Sequence, residues 1–289
     1  MLSEKDLAQL STRGITPAEM NQQIDFFKSG FPWMNLEKSA TIGNGIFQFS
    51  TDQLQSFIDR FDQQKSTFSI LKMVPASGAA TRMFKSLFEF LSTGEENKEC
   101  TTFFDELDHF AFYEELKALI ENKDDSVDIL NKLLGSAGLN YGQKPKGLLA
   151  FHSYPDGART PLEEHLVEAA AYASNGQNAR LHFTVSPEHR KGFEELVAKL
   201  IPKWEAKTGI QFEITFSEQK PATDTIAVNP DNTLFREADG SLLFRPAGHG
   251  ALLSNLNDLQ ADVIFIKNID NVVPDALKQP TISYKKALG

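Results

Sequence analysis

Apolar and polar positions repeat with two different periods along the chain, and the changes of period mark its elements. Ile70, Leu71, Met73 and Val74 form a short apolar run that reads as a buried strand, ended by Pro75, which cannot donate to a ladder. Leu181 to Val185 and Ile210 to Phe216 read as two further strands, separated by an amphipathic helix from Pro187 to Lys207. Thr160-Pro161-Leu162-Glu163 is a capping box with proline in the first turn, and it opens a helix through Leu166, Ala169, Ala170 and Ala173. Ala261 to Ile266 is a last apolar strand, read as buried and parallel. Strands alternating with helices at these lengths predict an α/β fold: a mostly parallel sheet with helices on both faces.

The flanking segments carry other patterns. In ITPAEMNQQIDFFKSGF, Thr16 caps a helix, Pro17 fills its first turn and Gly30 ends it; Ser50-Thr51-Asp52-Gln53 opens a second helix through Leu54, Phe57, Ile58 and Phe61. Between them FPWMNLEKSATIGNGI is irregular. Residues 1–65 are therefore expected to be an N-terminal helical segment packed on a main α/β domain at 66–289. A phenylalanine-rich helical insertion is expected at about 86–140, its rings in the core and His109 a hydrogen-bonded structural histidine among them. Glu121 to Asp128 reads as a solvated turn and helix start, and Leu148 to Phe151 as a strand. Aspartate-glycine at 239–240, between Leu234–Arg236 and Leu242–Phe244, predicts a hairpin.

Composition narrows the classes. With 289 residues, 41% of them hydrophobic, the chain can bury a sizeable core. A net charge of −10 argues against a nucleic-acid or membrane surface, although local basic residues can still hold phosphates. The single Cys100 excludes an internal disulfide and a cysteine-based zinc site. The amino terminus, MLSEKDLAQL, is too polar for a signal peptide and no run is long enough to span a bilayer, so a cytoplasmic location is expected.

Candidate chemistry begins where the first strand ends. Ala76, Ser77, Gly78, Ala79 and Ala80 lack bulk, so their backbone amides can approach a ligand closely. Thr81 can cap a following helix, and Arg82 adds a guanidinium fork suited to phosphate. The loop lacks the Gly-Lys-Ser/Thr ending of a P-loop and the glycine spacing of a dinucleotide fingerprint. Close packing of a strand on a helix would explain the same small residues. Further on, Lys144 and Lys146 form a compact basic patch, RPAGHGALL is a second glycine-rich loop, and Lys267 to Asn271 put polar side chains at the end of the last strand, where open α/β sheets bind ligands. Each has a bland alternative: a solvent lysine at 146, a tight bend at Gly248 and Gly250, a strand-ending turn at Asp270-Asn271.

The loop ASGAATRMFK, then KPKGLLAF, FRPAGHGALL and IFIKNIDN, in that order, resemble the UDP-sugar pyrophosphorylases, nucleotidyltransferases with a glycosyltransferase-A type sheet. The match covers about Ser69 to Asn271, with Ala80 standing where that family has a second glycine. More closely, the chain looks like a bacterial family of unknown function that shares these segments and is usually longer. The resemblance implies that Ser77, Gly78 and Ala79 cradle nucleotide phosphates, that Arg82 holds the leaving pyrophosphate, and that Lys146 neutralises phosphate charge. It implies Asp270 as the ligand of Mg2+, Gln219 and Gly248 as readers of the uracil, and His249 near the sugar or its phosphate. The expected partners are UTP or a UDP-sugar and a sugar 1-phosphate. In the resembled enzymes the sugar-holding residues and often a second metal carboxylate come after the Asp270 motif. A fragment, a partner that supplies that half, or a nucleotide-binding protein without turnover are therefore the alternatives.

Overall fold

The computed structural model describes residues 2–122 and 125–289, so Lys123 and Asp124 of the acidic stretch lie outside the described residues. Contacts divide the chain into two compact units: residues 1–53 with 218–260, and residues 54–217 with 261–289. The expected boundary near residue 65 thus gives way to a division in which the N-terminal helices share a unit with the hairpin region.

In the first unit, helices Glu4–Arg13 and Pro17–Ser29 both start with a complete capping box, at Ser3 with Asp6 and at Thr16 with Glu19. The hairpin expected at Asp239-Gly240 is present. Gly240 adopts φ 81°, the Asp239 side chain accepts from the Ser241 amide, and Arg236 is bridged to Leu242. The first helix packs on that hairpin, with Arg236 bidentate on the buried Asp6 at 2.8 and 2.9 Å and Leu10, Met20, Ile226 and Phe244 forming the core. The irregular stretch after Gly30 leaves Phe31, Trp33 and Phe47 exposed, Trp33 at 98%.

The second unit is built on a four-stranded sheet. Its strands are β1 (Ile70–Pro75), β2 (Asn178–Val185), β3 (Gln211–Glu218) and β4 (Val263–Ile266), in the spatial order β4-β1-β2-β3. β1 is parallel to both neighbours, with Ile70 opposite Val263 and Pro75 opposite Thr184. Every residue of β1 is buried, as its central place requires. β4, by contrast, is an edge strand, and its Ile266 is 46% exposed. Its apolar sequence does not make it a central one.

Helices α1 (Pro161–Tyr172) and α2 (Arg190–Thr208) pack on one face of this sheet. Leu162, Leu166 and Tyr172 of α1 and Phe193, Leu200 and Trp204 of α2 meet Val74, Leu181, Phe183 and Phe265. Thr160 caps α1 by accepting from the Glu163 amide, but Glu163 does not return the bond. Its carboxylate turns to Lys203 and the Trp204 indole, both at 3.0 Å, and ties α1 to α2. Helix α3 (Lys278–Leu288) lies against α1.

The phenylalanine-rich span is helical as expected, over Lys85–Thr93, Lys98–Asp105 and Ser126–Leu134, and forms its own cluster around Leu87, Phe103, Leu130 and Tyr141. Two expectations fail here. His109 is not a core histidine: its side chain is 79% exposed and 3.7 Å from Asp108. Leu148 to Phe151 is not a strand of the sheet, because Lys146–Leu148 closes a 3-10 turn and the chain enters only a small hairpin, His152–Tyr154 with Gly157–Arg159. No helix among the described residues is long and apolar enough to cross a membrane.

Candidate functional site

The order β4-β1-β2-β3 contains one reversal: the chain steps from β1 to β2 to β3 in one direction and then returns to the other side of β1. In open α/β sheets ligands bind in the crevice beyond the carboxyl ends of the strands at such a reversal, and here those strands are β1 and β4. Ser77, Gly78 and Ala79 follow β1, and Asp270 follows β4, so both expected segments flank this point. The β1–β4 ladder continues past Ile266, with the Lys267 amide donating to Met73 and the Ile269 amide to Pro75, and Asp270 is the next residue.

Lys146 stands between the two segments. Its amide donates to the Gly78 carbonyl at 3.1 Å, and its Nζ is 2.6 Å from Asp270 Oδ2. Gly147 explains how a turn from a distant part of the chain fits there. A Cβ at that position would meet the Phe193 ring at 2.7 Å and Ile269 at 3.0 Å, so only glycine lets the turn seat against the base of the Asp270 segment. Gly78 is different: a Cβ there would meet nothing within 4 Å, and its φ is not positive, so neither packing nor backbone conformation demands glycine. Ser77, Gly78 and Ala79 are exposed, and the amides of Ser77 and Gly78 donate to no carbonyl among the described residues.

Arg82 is exposed within the same loop, but Thr81 does not cap a helix. The Met83 amide bonds back to Ala80 and the Phe84 amide to Thr81, so the turn runs on and the helix begins at Lys85 behind Phe84, which offers no side-chain cap. Ala80 has a packing role. It is fully buried with Phe84 and Leu87 in the phenylalanine-rich cluster, so its methyl fills space that a glycine would leave empty.

The remaining expected residues lie in the other unit. The Gln219 amide donates to Asp224 at 2.9 Å, and Asp224 also takes Arg13 at 2.8 Å. Gly248 precedes a 3-10 turn, His249–Leu252, with open space where a Cβ would stand, and His249 is exposed. The Asn255 side chain donates to the Glu218 carbonyl and Lys220 Nζ to the Ser254 carbonyl, tying the Gln219 and Gly248 segments together within that unit.

Beneath the crevice lies a charged cluster that the sequence did not announce. Glu168 of α1 is fully buried and binds Lys72 of β1 at 2.8 Å, Lys267 beyond β4 at 2.5 Å and the Tyr172 hydroxyl at 3.0 Å. Burial alone would raise its pKa; the two ammonium groups outweigh it and hold the carboxyl down at about 2. Lys72 is fully buried and shares that single carboxylate with Lys267, so desolvation lowers its pKa to about 7. His165, one turn before Glu168, donates through Nε2 to the carbonyls of Asn268 and Ile269 at 3.1 and 3.2 Å. Burial first, then the Lys72 charge, keeps the ring neutral. Glu164, a further buried carboxylate on the same helix, collects Lys278, His152 and the Tyr154 hydroxyl within 2.6–2.8 Å. Thr184, opposite Pro75 at the tip of β2, has a buried hydroxyl with no partner among the described residues. Lys72 inside an apolar strand and the run Glu163-Glu164-His165-Glu168 on an otherwise apolar helix were the available signals.

Magnesium is a hard cation that takes one or two carboxylates plus phosphate oxygens. Asp270 supplies one hard oxygen, and Lys146 competes for it. Among the described residues no group of three histidine, cysteine or acidic side chains could hold a metal ion. Asp270 can therefore supply one of the oxygens such a cation takes, with the others left to phosphates.

Residues 3–289 match the family described as Domain of unknown function (DUF4301). No curated protein matches the chain.

Proposed function

We propose, for a chain that belongs to the DUF4301 family over residues 3–289, that the crevice between β1 and β4 binds a nucleotide through its phosphates, as UTP or a UDP-sugar. The observation that carries this reading is Lys146, whose amide meets the Gly78 carbonyl while its ammonium meets Asp270, at the one reversal of strand order. In this reading the exposed amides of Ser77 and Gly78 and the Arg82 guanidinium receive phosphate oxygens, and Lys146 exchanges Asp270 for a phosphate. Asp270 would then be the residue to hold a magnesium ion brought by the nucleotide. That ion would supply charge neutralisation at the phosphate oxygens.

The nucleotidyltransferase resemblance extends the reading to uridylyl transfer. An oxygen of a sugar 1-phosphate would bond to the α-phosphorus as the bond to pyrophosphate breaks, with Arg82 and Lys146 stabilising the charge that leaves. The second reading is nucleotide binding without transfer, favoured by the Lys146 ammonium that already engages the Asp270 carboxylate. Titration calorimetry with UTP and magnesium, beside an assay for pyrophosphate release from UTP and sugar 1-phosphates, separates the two. Binding with release supports transfer, binding without release selects the second reading, and no binding rejects both.

A further inference from the structure

We infer that a cavity in the phenylalanine-rich helical span is a second binding site, built for a small aromatic amphiphile. The cavity is an open cleft of about 710 Å³, inside the range of roughly 300–1,000 Å³ common for small-molecule sites. Phe84, Phe103, Phe110, Phe112, Tyr141 and Phe151 supply six rings to its lining.

Those rings brace one another and hold the space open. Phe110 stacks on Phe112 at 5.1 Å, Phe103 lies 5.3 Å from Phe110, and Tyr141 meets Phe112 edge-on at 5.4 Å. The Tyr141 hydroxyl accepts from the Ala150 amide at 3.1 Å, and burial pushes its pKa up to about 12, so it remains neutral and already engaged. The aromatic lining therefore suits an apolar aromatic body. The lining also includes exposed Lys98, Glu99, Thr102 and His109, which offer both donors and acceptors to a polar head.

The lining is also continuous with the crevice. Met83 and Phe84 follow directly from Arg82, and Leu149 to Phe151 follow directly from the Lys146–Leu148 turn. An occupant would touch the two segments that carry the crevice residues onward, yet the site is defined by its own lining and does not depend on nucleotide binding.

The test uses 1-anilinonaphthalene-8-sulfonate, an aromatic body with an acidic head, added to the full chain without nucleotide. Saturable fluorescence enhancement is expected. Ala111→Phe and Ala150→Phe, which fill the cavity from its lining, should each weaken binding at least tenfold while the melting temperature holds. Trp33→Ser, on the exposed stretch of the other unit, should leave it unchanged. Enhancement that survives the filling substitutions, or disappears with Trp33→Ser, overturns the proposal. So does a signal that falls as protein concentration rises, which would give the cavity to a second copy of the chain. Should neither filling variant fold, nuclear Overhauser contacts from the probe to the methyls of Leu87 and Leu149 in the unaltered protein decide, and their absence rejects the site.

Discussion

Lys146 Nζ lies 2.6 Å from Asp270 Oδ2 although 124 residues separate them in the chain. Two loops from different parts of the sequence are thus fixed at one point by an ion pair that remains partly exposed. Such a pair contributes about 0–1 kcal/mol to stability. Lys146→Met and Asp270→Asn should therefore leave the melting temperature nearly unchanged. If the crevice binds nucleotide, each should lower magnesium-dependent UTP affinity by about tenfold or more, roughly 1.4 kcal/mol, in calorimetric titrations with and without a chelator.

Gly147 and Gly78 should respond oppositely to alanine. Gly147→Ala forces a methyl against Phe193 and Ile269, and overpacking of this kind costs about 1–3 kcal/mol, visible as a lower urea midpoint. Gly78→Ala meets open space, so the midpoint should hold. A loss of UTP affinity without loss of stability at residue 78 would mark close approach of a ligand, and loss of both would make the residue structural.

Glu168 neutralises two buried lysines. Glu168→Ala strands both charges, and breaking a buried pair from one side costs about 3–5 kcal/mol. Adding Lys72→Met and Lys267→Met to that variant should recover much of the loss in denaturant unfolding, because the stranded charges are then removed as well.

Lys72 gives the fold a pH dependence of definite sign. Its pKa is about 7 in the folded protein and near the ordinary lysine value of 10.5 when unfolded. Between those values the unfolded chain binds more protons, so this group makes stability rise with pH from about 7 to 10.5, with a slope of at most about 1.4 kcal/mol per pH unit. Below pH 7 both states are protonated and the slope vanishes. Urea unfolding at pH 6, 7.5 and 9 measures it, and Lys72→Met should flatten the curve across that window.

Much of both units was legible where local chemistry decides the element. Pro75 ends β1, Thr160 and Pro161 start α1, and the turn residues at 239–240 close their hairpin, each within a few positions of its cause. The apolar run at Leu148 to Phe151 misled because burial in a helical cluster leaves the same pattern as burial in a strand. The pairing of residues 1–53 with 218–260 depends on contacts far apart in sequence, such as Arg236 with Asp6, that no local period encodes. At the strand tips, Gly78, Lys146 and Asp270 could be named because their segments follow the order found in the resembled nucleotidyltransferases. Lys72 and Glu168 could not, since a lysine or glutamate in an apolar element normally reads as its solvent-facing position, and only the fold reveals that they neutralise each other.

Glu168 reaches from one helix to a lysine on the central strand and a lysine at the tip of the edge strand, the two elements that border the crevice. It works as a staple across the seam between those strands. Separating the two strands would have to pull an ammonium group away from the buried carboxylate that neutralises it, so the strand tips are held at a set spacing and any adjustment there must come from the loops above.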